Sequence, residues 1–218
     1  MRPLENELRV GLAELDLALS DEQVTQLLDY LALIEKWTKV YNLTAVREPA
    51  AMLSQHLLDS LAVVGPLMNQ ACASPTQPLR VLDVGSGAGL PGAVLAICHP
   101  DWRVDCVDTV AKKAAFIQQV AVSLKLPNLR GVHARVESLS GPYDVVCSRA
   151  FASLVDFTNW SKGALSGSGV WMALKGKHPA DEIQALSSDV SVFHVEQLEV
   201  PGLGAERCIV WMRSVVAG

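Results

Sequence analysis

Residues Leu79 to Gly92 read LRVLDVGSGAGLPG, and the reading of this stretch decides the fold. Leu79 to Val84 is a short apolar run with β-branched residues that stops at a glycine cluster, the way a buried parallel strand ends. Gly85, Gly87 and Gly89 remove side chains where the chain must turn tightly and a ligand must approach the backbone. Pro91 suits the first turn of a following helix. A strand, a glycine loop and a helix in that order present free backbone N–H groups to an anionic or carboxylate-bearing ligand. The stretch therefore predicts a nucleotide-type pocket.

Gly87, Gly89 and Gly92 also satisfy the dinucleotide pattern G-x-G-x-x-G, which by itself is weak evidence and leaves NAD as an alternative. No G-K-S or G-K-T follows, so a P-loop is excluded. Asp83 tips the balance: it sits inside the strand end, where a dinucleotide site has an apolar residue and a cationic ligand has use for a carboxylate. The run DVGSGAG resembles the first motif of class I S-adenosylmethionine-dependent methyltransferases, in which the loop wraps a cofactor with a positive amino group and sulfonium.

A chain of 218 residues fits one domain, or one domain with an extension. Half its residues are hydrophobic, which excludes a disordered chain. The formal net charge of -5 argues against coating nucleic acid by overall charge, so any nucleic acid must meet a local basic patch. There is no secretory signal pattern, and the apolar stretch Leu57 to Met68 is too short to span a bilayer. Cys72, Cys98, Cys106, Cys147 and Cys208 form no C-x-x-C pair, and we read them as reduced core residues of a cytoplasmic protein with no metal site.

Residues 1–70 read as a helical extension. Leu4, Leu8, Leu12, Leu15 and Leu19 recur at helical spacing, and Ser20 with Gln23 forms a capping box that opens a second amphipathic helix. Pro49 begins a third helical stretch running to Leu58. Residues 71–218 read as the Rossmann-like domain, with Ala71 to Pro78 as the candidate linker. From Leu79 onward strand and helix patterns alternate, which predicts a doubly wound α/β sheet. Strands are expected at Leu79–Val84, Arg103–Val107, Leu129–His133, Tyr143–Ser148, Val170–Lys175, Val192–Val200 and Cys208–Arg213. The last two, joined only by PGLGAER, should form an antiparallel hairpin at the sheet edge. A mostly parallel seven-stranded sheet with that hairpin is the class I methyltransferase arrangement.

Asp108 closes the second strand about twenty residues past the glycines, where an acid either hydrogen-bonds ribose hydroxyls or caps the next helix. Asp105, in an alternating strand, should point elsewhere. Arg135, Val136 and Glu137 follow the third strand, where a polar connection borders the adenine or is a solvated turn. Ser148 to Phe151, SRAF, ends the fourth strand where enzymes that methylate exocyclic amines carry Asn or Asp, two prolines and an aromatic. Amine methylation is therefore disfavoured. Pyrimidine C5 methylation needs a cysteine nucleophile, and Cys147 lies inside an apolar strand as a buried thiol. Guanine N7 has an exposed lone pair and no proton to lose, so positioning alone supplies most of the acceleration. Arg149 is the candidate catalytic residue, holding the cofactor carboxylate or a phosphate. Arg47, Lys175, Lys177, His178 and Arg207 at element ends, with His56 on the third helix, are candidate contacts for a phosphate backbone, and of these Arg47, His56, Lys175, Lys177 and Arg207 are taken as the candidate RNA contacts. Trp37, Trp102, Trp160, Trp171 and Trp211 lie mostly at core spacing and are not read as a stacking platform.

The segments KWTKVYNLTAVREP, HLLDSL, VLDVGSGAGLPG, SRAFASL, ALKGK and PGLGAERCIV occur in that order, and with them most of the chain closely resembles the RsmG (GidB) family. The resemblance implies a bacterial cytoplasmic enzyme that uses S-adenosylmethionine to methylate N7 of a single guanine (guanine-527, in the 530 loop) of 16S ribosomal RNA, free or in the small ribosomal subunit. It implies cofactor contacts at Gly85, Leu90, Val136, Glu137 and Arg149, with Asp108 at the ribose. It also gives Asn42, His56 and Asp59 a place beside the pocket. Two alternatives stand beside it: a small-molecule methyltransferase, and a non-catalytic S-adenosylmethionine-binding protein.

Overall fold

A computed structural model of the chain describes residues 2–71 and 78–215. The expected linker, Ala71 to Pro78, and Cys72 fall largely or wholly outside those residues. The first helix, α1 (Arg2–Glu14), is shorter than the leucine spacing predicts. Asp16 turns left-handed at φ 54°, and the Leu17 amide donates back to the Leu12 carbonyl at 2.9 Å, a closure that ends the helix before Leu15 and Leu19. The second, α2 (Asp21–Tyr41), starts at the expected capping box: Gln23 N–H donates to Ser20 Oγ at 3.2 Å, and Ser20 N–H to Gln23 Oε1 at 3.0 Å. The stretch from Pro49 opens as α3 (Pro49–Met52), widens into a π-helical turn (Leu53–Leu58), and resumes as α4 (Asp59–Leu61) and α5 (Val64–Ala71). The spacing of apolar residues gives no sign of that π turn.

The remainder alternates as expected: β1 (Arg80–Val84), α6 (Gly92–Cys98), β2 (Arg103–Asp108), α7 (Ala111–Ser123), β3 (Leu129–His133), β4 (Tyr143–Arg149), α8 (Leu154–Ser161), β5 (Leu165–Lys175), α9 (Ala180–Gln184), β6 (Val190–Leu198) and β7 (Arg207–Ser214). The seven strands lie in the order β3-β2-β1-β4-β5-β7-β6, all parallel except β7, which runs antiparallel to both neighbours. The hairpin expectation holds, with β6 at the edge. Strand β5 begins five residues earlier than expected, because Leu165 pairs with Tyr143 and the Ser–Gly run between them and Val170 is absorbed as a register shift.

Strand alternation sends Val81, Val104, Cys106 and Cys147 to one face and Leu82, Val84, Val107 and Val146 to the other. The first face shares a single apolar core with α1, α2 and α6, joining Leu8, Leu27 and Ile34 to Ile97 and Phe116. Helix α2 is also tied on by polar side chains reaching helix ends. Gln23 Nε2 donates to the Ile97 and Cys98 carbonyls at 2.8 and 3.0 Å, and Gln26 Nε2 to the Leu124 carbonyl at 3.0 Å. These satisfy carbonyls that helices α6 and α7 leave over at their C-termini.

Candidate active site

The sheet order reverses between β1 and β4, and ligands of open α/β sheets bind above the carboxyl ends of strands at such a point. Here the glycine loop is held by the end of β2, by a bond within itself and by α2. Gly85 N–H donates to the Val107 carbonyl at 2.9 Å and Gly87 N–H to Asp108 Oδ2 at 3.1 Å. Gly89 N–H donates to the Ser86 carbonyl at 2.7 Å, and the buried Tyr30 hydroxyl of α2 donates to the Ala88 carbonyl at 2.6 Å. Gly85, Gly87 and Gly89 have φ of +65°, +58° and +90°, which side chains disfavour. A Cβ on Gly85 would collide with the Phe151 ring, whereas one on Gly87 would meet only the Gly85 carbonyl oxygen at 4.0 Å, so Gly87 faces open space.

Two cavities flank the loop, of about 390 and 460 Å³, and they share Gly85 and Ala150. Ala150 is itself left-handed at φ 52°, a strained conformation at the turn that separates them. The first cavity is walled by Asp108, Lys113, the Ala134–Glu137 connection, Phe151 and Trp160. Asp108 is 6% exposed, and besides Gly87 it accepts from the Val110 amide at 2.8 Å and pairs with Lys113 at 3.5 Å. It therefore holds the turn that leads into α7 and faces the cavity, while α7 itself, with Val110 at its N-cap, has no side-chain cap. The second cavity is walled by Ser86, Gly87, Leu90, His56, Asp59, Arg149, Lys175 and Arg207. There Arg149 Nη1 donates to Asp59 Oδ2 at 2.8 Å and the Gln55 carbonyl at 2.9 Å, and Arg207 Nε to Asp59 Oδ1 at 2.7 Å. Lys175 Nζ is bound by both Glu182 oxygens at 3.0 and 2.8 Å. His56 Nε2 lies 2.9 Å from Thr44 Oγ1; burial, then the nearby Arg149 charge, lower its pKa, which keeps the ring neutral.

Most of the residues expected from sequence therefore converge: Gly85, Asp108, Val136 and Glu137 on the first cavity, and Gly85, Gly87, Leu90, His56, Arg149, Lys175 and Arg207 on the second. Four do not. Asp83 is fully buried on the α6 face, lines neither cavity, and accepts from the Gly92 amide at 2.9 Å. Burial raises its pKa to about 7. It steadies the loop from below, and the expected contact with a cationic ligand is corrected to that role. Gly89 also turns inward: a Cβ there would lie 3.3 Å from both Tyr30 Oη and Ala93 Cβ. Arg47 is spent on Asn42 Oδ1 at 2.8 Å and the Thr38 carbonyl at 3.4 Å, beyond the end of α2. Lys177 is exposed and lines neither cavity.

The sequence reading missed Thr44, Gln55, Lys113 and Tyr30. Trp160, given core spacing, is 41% exposed at the mouth of the first cavity, edge-on to Phe151 with ring centroids 5.9 Å apart. Cys147 is buried in β4 away from both cavities, and burial pushes its thiol pKa well up. Asp105 points elsewhere as expected, held by Arg130 at 2.9 Å and the Tyr143 hydroxyl at 2.6 Å.

An S-adenosylmethionine molecule fits the residues present. Ser86 Oγ is buried without a partner beside Gly87, the Gly87 position is open toward the second cavity, and Asp108 and the Val136–Glu137 backbone wall the first. The family model described as GidB, rRNA small subunit methyltransferase G, matches residues 23–210. Ribosomal RNA small subunit methyltransferase G of Albidiferax ferrireducens is 66% identical over 98% of this chain and 99% of its own length. That of Polaromonas naphthalenivorans is 63% identical over 97% and 96%. Among solved structures, magnesium protoporphyrin IX methyltransferase of Synechocystis with bound SAM shares the fold at a TM-score of 0.59 and 17% identity, over 90% of this chain and 99% of that one.

Proposed function

The chain belongs to the GidB family, rRNA small subunit methyltransferase G, and we propose from this premise that it methylates N7 of one guanine, guanine-527 in the 530 loop of 16S ribosomal RNA. S-adenosylmethionine is the methyl donor; when bound it supplies a methyl group on a positively charged sulfur. In this reading Asp108 holds the ribose, the backbone and side chains of Val136 and Glu137 border the adenine, and Gly85, Gly87 and Leu90 seat the part that reaches into the second cavity. Arg149 holds the carboxylate end or an adjoining anion. The target guanine and its backbone enter the second cavity beside Lys175 and Arg207. Residues 1–70 wall one side of the crevice and residues 71–218 form the methyltransferase domain.

The single observation that favours N7 is how the second cavity's titratable groups are committed. Among its described residues, Asp59 is engaged by two arginines, Glu182 pairs with Lys175, and His56, although neutral and so in the form that accepts protons, has Nε2 on Thr44 Oγ1 and Nδ1 buried out of reach of a substrate. None of them is poised to take a proton from a substrate amine, and Cys147 lies too deep to form a covalent adduct. Guanine N7 needs neither group, so holding the lone pair in line with the methyl is sufficient. A 16S ribosomal RNA substrate supports a cytoplasmic enzyme; among the described residues no helix is long and apolar enough to cross a membrane. The test is incubation with labelled S-adenosylmethionine and either naked 16S RNA or small subunits, followed by nucleoside analysis. Label on N7-methylguanosine supports the reading; label on another atom, or on metabolites in preference to RNA, overturns it.

A further inference from the structure

Asp59 follows the π-helical turn, its side chain is 3% exposed, and each carboxylate oxygen accepts from a different arginine. Arg149 ends β4 and Arg207 begins β7, so three segments far apart in the chain meet at one buried carboxylate. The wider π turn places Gln55, His56 and Asp59 together on the wall of the second cavity, a frequent use of such turns at functional sites. Arg149 spends Nη1 on Asp59 and the Gln55 carbonyl; Arg207 spends Nε on Asp59 and Nη1 on its neighbour's carbonyl at 2.8 Å. Both Nη2 groups lack a protein partner among the described residues. A guanidinium is planar, so fixing Nε of Arg207 also fixes where its remaining N–H groups aim. The local charges are Arg149, Arg207 and Lys175 against Asp59 and Glu182, which leaves one positive charge on the cavity wall. One monoanion, such as a phosphodiester group, neutralises it.

We infer that Asp59 is a positioning residue that orients Arg207, with Arg149 beside it, to receive one backbone phosphate of the RNA substrate. This rests on the proposed RNA methylation and adds to it the part of the substrate that is gripped and the group that sets the grip. Charge alone predicts the opposite outcome for removing Asp59. A carboxylate next to a phosphate site repels the phosphate, so Asp59→Asn should tighten RNA binding if orientation is unimportant.

The experiment measures affinity of the full chain for a 16S RNA fragment across a salt series, with affinity for S-adenosylhomocysteine measured separately. Arg207→Gln should weaken RNA binding about tenfold and make the log–log salt dependence shallower by about one. Asp59→Asn should also weaken RNA binding about tenfold, and this loss should vanish when Arg207→Gln is already present, since the two act through one contact. Arg207→Lys, which keeps the charge and loses the fork, should lose nearly as much as Arg207→Gln and serves if Asp59→Asn does not fold. RNA binding by Asp59→Asn that is unchanged or tighter, an equal loss in both backgrounds, or wild-type affinity in Arg207→Lys would overturn the inference. If the S-adenosylhomocysteine arm alone moves, the anion held is the cofactor carboxylate and the assignment to phosphate fails. Wild-type protein that neither binds nor methylates RNA would instead strike the functional proposal beneath it.

Discussion

Tyr30→Phe isolates the tie between the second helix and the glycine loop. The hydroxyl donates to the Ala88 carbonyl at 2.6 Å inside the core, and that carbonyl has no other partner among the described residues. Burial holds the Tyr30 pKa well above its ordinary value, so the group remains a donor at any working pH. Deleting the oxygen leaves a buried acceptor unsatisfied, a cost of roughly 1–3 kcal/mol. For a chain of this size that is about 2–4 °C of melting temperature per kcal/mol. Loss from the fold as a whole would appear only in melting. If the bond holds the loop in its ligand-ready shape, part of the loss appears as weaker binding, up to about tenfold for each 1.4 kcal/mol. We expect both: a lower melting temperature by calorimetry and a Kd for S-adenosylhomocysteine raised three- to tenfold by titration. A melting temperature that falls while Kd stays at the wild-type value would refute the claim that α2 sets the loop.

Gly87→Val should abolish cofactor binding, because a β-branched residue is strained at φ +58° and its methyls would project into the second cavity; an intact Kd by titration would contradict this. Cys147→Ser should retain turnover within about threefold in the radiolabel assay, since a buried thiol with a raised pKa takes no part; loss of turnover in a folded, cofactor-binding variant would restore a covalent mechanism. Asp83 predicts a pH effect. Its carboxyl titrates near 7 in the fold against 3.8 unfolded, so the native state holds the extra proton between those values and stability falls as pH rises from about 4 to 7. The deficit is of order 4 kcal/mol once both states are ionised. Asp83→Asn cannot ionise, so its melting temperature minus that of the wild type should climb across that window; a flat difference would show the carboxyl to be ionised throughout.

The sheet, its edge hairpin and the glycine loop were legible because each rests on local chemistry: apolar strand runs, φ-permissive glycines, a short turn. The capping box at Ser20 was legible for the same reason. What escaped depends on side-chain direction. The place of Asp83 before the first glycine suggests a ligand group, yet period-two alternation turns it toward α6, with Val81, and away from the crevice. The tryptophans lie mostly at core spacing, and Trp160 is the one that the short helix α8 leaves at a cavity mouth. Tyr30 and Gln55 carried no signal at all, since one acts through a carbonyl 58 residues away and the other by offering its own carbonyl to Arg149. The π turn was equally silent, because an extra residue per turn is a backbone event that the apolar pattern absorbs.

These silent contacts share an origin in the first seventy residues. A bare α/β sheet with this glycine loop would leave the Ala88 carbonyl and the two guanidiniums of Arg149 and Arg207 without the partners they have here. It would also leave the ends of α6 and α7 uncapped on the side where Gln23 and Gln26 reach them. The helices therefore complete the site's electrostatics and fix the loop, in addition to burying the apolar face they share with the sheet. Without Asp59 these two partly exposed arginines would repel, and their positions would be set by solvent and not by the protein. With Asp59 between them, one net positive charge is held at a defined place on the wall of the second cavity. Such fixed charge is most effective at positioning a phosphate-bearing substrate whose reacting atom needs alignment and no proton transfer.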